Sequence, residues 1–337
     1  MKPIKTSLHI DTSPHIFSDT SVPKIMRHVV YALIPMVGFA FYCYGWSALL
    51  IIGVCVISCL LTEHWLSKRM ALPSGIGDGS AVITGLLLGL TLPPALPLWM
   101  AALGGIVSIG LGKMLFGGLG CNVFNPALVG RAFLQAAFPS SLTTFSPPFS
   151  PDRFHSIADS VLTPPLLSPS YDSLSSATPL SAFKFGGQSS ELNSLFLGTS
   201  NGSLGETSAA LILMCGLYLI FRNFMNWRIP AGIFIAVFAL SSLFHWLQPQ
   251  QFAGPWFMLC SGGLMLGALF MATDMVASPL SHRACFVYGV LIGALVVVIR
   301  YWSGLPEGVM YAILFCNALS PHIDRLLQPK PFSGQSP

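Results

Sequence analysis

The residues best placed to do chemistry form one short polar run, Asp172–Ser173–Leu174–Ser175–Ser176–Ala177–Thr178–Pro179–Leu180. Asp172 can close an Asx-type turn, and Pro179 stops helix at Thr178 and biases that residue to extended geometry. This exposes a Thr hydroxyl on a loop with an acidic residue six positions upstream, a substrate for a modifying enzyme. The plainer alternative is a solvated linker, the common fate of Ser/Thr-rich loops. Hydroxyl chemistry alone does not choose among Ser173, Ser175, Ser176, Thr178 and Ser181.

A second stretch runs from Gly112–Lys113 through Gly117–Gly118–Leu119–Gly120–Cys121–Asn122–Val123–Phe124–Asn125–Pro126. It is no phosphate-binding loop, because no Gly-Lys-Ser/Thr follows a strand. It reads either as a tight interhelical turn or as non-helical backbone lining a cavity, where such backbone is tolerated at membrane depth. Met271–Ala272–Thr273–Asp274 offers an ionisable residue in or near a bilayer, by default a functional position. The alternative is that Asp274 only caps a helix or pairs with Arg283. The eight Cys lie almost all in apolar blocks, with Cys121 in the Gly-rich turn and no Cys-x-x-Cys pair. They read as small hydrophobes, so an iron–sulfur cluster held by this chain alone is not expected. The eight His show no metal-ligand spacing. Glu63, Asn122, Asn125 and Asn317, at helix ends or in apolar blocks, read mostly as ordinary hydrogen-bonding groups.

The elements that must position these residues are membrane helices. The chain is 53% hydrophobic and 8% charged, where a soluble domain carries about a quarter charged residues. Spans of about 20 apolar residues leave room for about ten helices. The expected segments run at 25–42, 46–66, 81–92, 98–111 and 126–138, then 207–221, 229–247, 256–271, 284–302 and 306–319. The polar N-terminus carries no small-residue cleavage site before the first of them. The fold class expected is an all-α polytopic membrane protein with two five-helix repeats and a long external loop between them. Its divisions are a tail at 1–24, a first repeat at 25–139, the Ser/Pro-rich loop at 140–206, a second repeat at 207–320 and a tail at 321–337. That loop is expected to lack helical periodicity, and loops of such length are usually functional or disordered.

The repeats rest on order and spacing. Gly85-Leu-Leu-Leu-Gly89 answers Gly263-Leu-Met-Leu-Gly267, each followed by an irregular stretch. Segments five and ten each open on a Pro (Pro126, Pro306) and close on one (Pro139, Pro321). An odd number of helices per repeat inverts the second relative to the first, the plan in which broken helices meet near the midplane. Lys and Arg set the orientation. With the N-terminus cytoplasmic, the inside set is Lys2, Lys5, Lys24, Arg27, Lys68, Arg69, Lys113, Arg131, Arg222, Arg228, Arg283, Arg325 and Lys330. Only Arg153, Lys184 and Arg300 fall outside, so both termini are expected inside and Thr178 outside.

The polar run resembles the flavinylation motif, Asp-Gly-x-Ser/Thr-x-Ala-Thr-Pro, of the D subunit of Rnf-type electron transport complexes. The related B subunit of the sodium-pumping NADH:quinone reductase shares it. The resemblance implies FMN on Thr178 through a phosphoester, with Asp172, Ser175 and Ala177 as motif residues; Ser173 stands where the family usually has Gly. The Gly-rich stretch, on through Ala127–Leu128–Val129–Gly130, is similar to the family's Gly-Gly-Leu-Gly-x-Asn-x-Phe-Asn-Pro-Ala signature. Thr273–Asp274 matches a family Thr-Asp, while Ser281–His282–Arg283–Ala284 departs from a Gly-Arg-containing run. The resemblance implies that Asn122, Asn125, Thr273 and Asp274 lie beside an ion or electron path. It reaches from Ser13–Pro14 and Ala32–Leu33–Ile34–Pro35 to Pro306–Glu307–Gly308–Val309. The chain lacks the long N-terminal extension of its sodium-pumping counterpart, so the Rnf-type protein is the nearer likeness.

What the resemblance implies is a redox subunit, incomplete alone, that couples electron transfer between ferredoxin and NAD to ion movement. Its setting would be a bacterial inner membrane with the flavin loop periplasmic. Its partners would be the A, B, C, E and G subunits of such a complex, a flavin transferase and membrane lipid, with no nucleic acid. A second, non-covalent flavin such as riboflavin belongs to the same expectation. A rival reading is a channel for a small neutral solute, which also suits inverted five-helix repeats but has no use for the long loop. A third, a structural anchor for other subunits, predicts no flavin.

Overall fold

The computed structural model describes residues 20–70, 75–165, 167, 177–187, 190–206 and 208–328. Among these, α1 (Val22–Tyr44) and α2 (Trp46–Arg69) form a hairpin closed by Gly45, whose φ of 67° needs a residue without Cβ. A single 3-10 turn, Gly75–Asp78, leads into α3 (Ser80–Leu90). Then follow α4 (Leu98–Gly110), α5 (Pro126–Ala137) and α6 (Pro139–Thr143). The connection to the second half carries α7 (Pro179–Gly186) and α8 (Leu192–Leu197). The second half holds α9 (Ala209–Phe221), α10 (Arg228–Leu247), α11 (Pro255–Cys260) and α12 (Leu264–Leu266), the last continuing as a π turn over Gly267–Met271. It closes with α13 (His282–Trp302) and α14 (Val309–Leu326).

The described residues are helical without strands, as a polytopic membrane protein requires. Among the described residues, five helical stretches are long and apolar enough to cross a membrane: α1, α2, Leu98–Phe116, α10 and α13. α3 and α9 are apolar but shorter. Packing repeats along the chain: α2 lies on α3 and α4, and α4 on α5, while α10 lies on α11 and α13, and α13 on α14. Gly85 and Gly89 let α3 approach the α2 backbone; an added Cβ would come within 2.5 Å of Val56 Cα and 2.9 Å of Ile52 Cα. This is the close approach that small residues permit between membrane helices.

Three expectations need correction. Segment eight is not one helix over 256–271: it breaks at Ser261–Gly262–Gly263, with Gly262 at φ 64°. Segment ten neither opens at Pro306 nor closes at Pro321; α14 starts at Val309 and carries Pro321 inside it. The long connection is not devoid of helix, since α6, α7 and α8 lie in it. Its end also enters the core. Gly205 N donates to Leu90 O at 2.6 Å and Leu204 N to Leu92 O at 3.0 Å, satisfying carbonyls that α3 leaves free where Pro93–Pro94 ends it.

Candidate functional site

Thr178 is buried, 4% exposed, and not on an open loop. Its backbone is extended (φ −67°, ψ 154°), as the following proline demands. Pro179 does not stop a helix; it opens α7 as its first residue, where its missing N–H is harmless. Thr178 is the N-cap: Ser181 N donates to Oγ1 at 3.3 Å, and the two hydroxyls lie 3.0 Å apart. α7 is seated firmly. Leu180 lies against Gly262, where a Cβ would come within 2.6 Å of Leu180 Cδ1. At the other end Lys184 Nζ donates to Arg300 O at 2.7 Å and Leu305 O at 2.8 Å, closing off the end of α13. Partial burial lowers the Lys184 ammonium pKa. Ala177 is exposed beside it, while Asp172, Ser173, Ser175 and Ser176 lie outside the described residues.

The cavity that Thr178 lines brings in groups that the sequence places on opposite sides of the membrane. Arg131 and Gln135, one turn apart on α5, line it together with Glu206, Glu307 and Gly263. Arg131, expected among the cytoplasmic charges, is 8% exposed, and its Nη2 lies 3.1 Å from Glu307 Oε2. Arg300, expected outside, is 3% exposed and donates through Nη2 to Ser261 O at 2.8 Å, holding the helix break. Glu206 lies in the connection ahead of α9, outside the spanning helices. Burial, and next the Glu307 charge, push its carboxyl up to about 8. Arg131 Nη1, Glu206 Oε2 and Glu307 Oε1 are buried without a hydrogen-bond partner. The one sequence signal for this cluster is ionisable residues within or beside apolar blocks; nothing in their spacing pairs them.

A second cavity, about 110 Å³, gathers all four residues expected beside a path: Asn122, Asn125, Thr273 and Asp274. The Gly-rich stretch therefore lines a cavity as well as turning, with Gly117, Gly118 and Gly120 at positive φ. Asn125 Oδ1 caps α5, accepting from Ala127 N at 3.0 Å. Asp274 accepts from Val276 N at 3.2 Å and lies 3.5 Å from Asn122 Nδ2; among the described residues it forms no ion pair with Arg283. Lys113 also lines this cavity. It is 2% exposed, and its Nζ bonds Glu63 Oε1 at 2.7 Å and Ser80 Oγ at 2.6 Å, an ion pair that sequence spacing does not reveal. The π turn separates the cavities: Met271 lines the first, Leu269 and Phe270 the second. Among the described residues no three His, Cys, Asp or Glu stand as a metal site.

Residues 9–333 match the family model described as the NQR2, RnfD, RnfE family. The chain is 39% identical to the D subunit of the proton-translocating ferredoxin:NAD(+) oxidoreductase complex of Clostridium ljungdahlii, over 97% of each chain. It is 40% identical to the D subunit of the ion-translocating oxidoreductase complex of Stutzerimonas stutzeri, over 93% of this chain and 92% of that one. It is also 37% identical to the D subunit of the Na(+)-translocating ferredoxin:NAD(+) oxidoreductase complex of Acetobacterium woodii, over 96% and 95%.

Proposed function

The chain belongs to the NQR2, RnfD, RnfE family, and from that premise we propose that it is the D-type membrane subunit of an ion-translocating ferredoxin:NAD oxidoreductase with FMN esterified to Thr178. The observation that carries the flavin is the setting of the Thr178 hydroxyl. It stands at the N-terminus of an eight-residue helix and lines a cavity holding three unpartnered buried polar atoms. A phosphoester there gains the helix-terminal N–H groups and dipole, which favour anions. The residues present suit the group in chemistry: α7 for the phosphate, and for the ring a largely apolar wall (Leu128, Leu142, Phe145) with a few charged groups; the cavity, about 80 Å³ as it stands, must widen to admit the ring. When bound, FMN supplies one- and two-electron chemistry; the chain supplies position and electrostatics.

Burial of Thr178 constrains maturation. A transferase must meet the residue before α7 docks, or with Leu180 lifted from Gly262 and Lys184 released. Ser181 N–H, which now caps through Oγ1, is then free to donate to the phosphoryl oxygens.

We assign the second cavity, with Asn122, Asn125, Thr273 and Asp274, to the ion or electron path, supported by their convergence on one space beside the π turn. The neutral-solute channel is disfavoured by charge: the helix bundle buries Lys113 with Glu63, and the buried Arg131 pairs with the half-buried Glu307. Other redox subunits and a flavin transferase are the partners this reading requires, and the bacterial inner membrane its site, with Thr178 on the outer face.

Peptide mass spectrometry of the purified chain tests the flavin. An FMN-sized increment is expected on the Thr178 peptide and absent from Thr178→Ala, whose complex still assembles. An increment on Ser175 or Ser176 moves the acceptor; none on any peptide overturns the flavin reading.

A further inference from the structure

The cavity under Thr178 holds more polar chemistry than an ester anchor needs. Arg131 is held in place by Glu307, yet its Nη1 stays buried and unmatched. The two carboxyls rest on the glycines of the helix break: a Cβ on Gly263 would come within 2.6 Å of Glu206 Oε1, and one on Gly262 within 3.3 Å of Glu307 Oε1. No side chain larger than hydrogen fits at Gly263 without displacing Glu206. Buried polar groups are almost always paired, so one guanidinium N–H and two carboxyls facing one cavity ask for a guest with a matching polar edge.

The phosphate is not that guest, because it is bonded to Thr178 at the α7 N-terminus, where backbone N–H groups serve it. The ring's pyrimidine edge is the other polar part of FMN, and it sets carbonyl acceptors beside an imide N–H donor. Much of the remaining wall, including Leu128, Leu266, Met271 and Val309, is apolar and suits the ring face. Resting on the assignment of FMN to Thr178, we propose that Arg131 and Glu206 recognise the pyrimidine edge of the flavin: Arg131 Nη1 donates to the C2 carbonyl, and Glu206 accepts from the imide N–H. Glu307 is a positioning residue that holds Arg131. A guanidinium beside N1 and C2 favours the charge that reduction places there, so Arg131 raises the flavin potential.

The test uses the whole complex in detergent. Covalent flavin is read from ultraviolet fluorescence of the denatured chain, the potential from titration with dithionite as electron donor, and ring hydrogen bonding from resonance Raman of the carbonyl and imide modes. The variants are Glu206→Gln, Arg131→Lys, and Arg131→Gln combined with Glu307→Gln so that no charge is left alone. All are expected to keep covalent flavin. The double variant should bind the reduced ring at least tenfold more weakly relative to the oxidised ring, about 30 mV downward for a two-electron couple. Arg131→Lys should restore most of that shift, and Glu206→Gln should move the imide mode recorded above about pH 8, where the wild-type carboxyl is ionised. Attached flavin with wild-type potential and Raman modes in both Glu206→Gln and the double variant overturns the proposal and leaves the FMN assignment standing. Wild-type chain without covalent flavin overturns the assignment itself. If the double variant does not assemble, the isosteric Glu206→Gln decides alone: an unmoved imide mode overturns the proposal.

Discussion

The Asn125 side chain joins the two halves of the molecule: its Nδ2 donates to the carbonyl of Met271 at 3.1 Å while its Oδ1 caps α5. With its amide set to suit its neighbours, Asn317 on α14 accepts from Asn125 N at 3.1 Å. One residue thus ties the Gly-rich stretch, the π turn and α14 at the wall between the two cavities. Asn125→Ala removes the cap, worth about 1 kcal/mol, and strands a buried carbonyl, about 1–3 kcal/mol more. Asn125→Asp keeps the cap and loses the donor. Thermal unfolding of the detergent-solubilised complex should rank wild type above Asn125→Asp above Asn125→Ala; equal midpoints for all three would contradict the tie.

Thr178 has two jobs that substitution separates. Thr178→Ser keeps both the hydroxyl and the cap, so some flavin and the α7 geometry are retained. Thr178→Ala loses the flavin and about 1 kcal/mol of cap stabilisation. Ser181→Ala keeps the backbone N–H that caps α7 and loses only the hydroxyl contact, so it should flavinylate. Loss of in-gel fluorescence from Ser181→Ala would place the acceptor wrongly.

Lys113 and Glu63 form a buried pair whose side chains are 3% and 1% exposed. Removing one partner leaves an uncompensated charge, a cost of about 3–5 kcal/mol, whereas apolar replacement of both can be near neutral. Lys113→Met and Glu63→Leu should each lower assembled yield and melting temperature, and the double variant should recover much of both. A double variant that melts below either single one would show the pair to be worth more than its burial.

Glu206 carries a carboxyl raised by burial from the usual 4.5 to about 8, so the folded state binds its proton more tightly than the unfolded chain. The sign follows: this group costs nothing below pH 4.5, and stability falls as pH rises from there through about 8. Near neutrality the infrared C=O stretch of a protonated carboxyl should be present in wild type and absent in Glu206→Gln. Glu206→Gln should also flatten the loss of thermal stability between neutral and mildly alkaline pH. A wild-type chain without that band would refute the assignment.

Orientation can be read with a native reporter. Cys121 is exposed, six of the other Cys are buried and Cys260 is intermediate. With both termini inside, an impermeant thiol reagent should reach Cys121 only from the cytoplasmic face, and Ser190→Cys only from the outside. Labelling of both from one face would rule out the arrangement. Removing Lys113, Arg131 and Arg300 from the charge count, because they are buried, leaves the inside excess intact.

Periodicity and breakers placed most of the long helices and missed the short ones. Apolar blocks with Pro93–Pro94 and the Gly-rich stretches placed nearly every membrane helix within a few residues, because a chain in lipid must satisfy its backbone locally. The resemblance to family motifs singled out Thr178, and with it Asn122, Asn125, Thr273 and Asp274. Tertiary structure decided what those positions face. Burial of Arg131 against Glu307, 176 residues away in sequence, left no trace in local pattern, because an ion pair between helices depends on two crossing geometries at once. The break at Gly262 was hidden inside an apolar run, since composition reports burial and says nothing of a backbone turn at φ 64°. Thr178 changed from an exposed loop hydroxyl to a buried helix cap for the same reason: whether Pro179 ends one element or opens another depends on what Leu180 packs against.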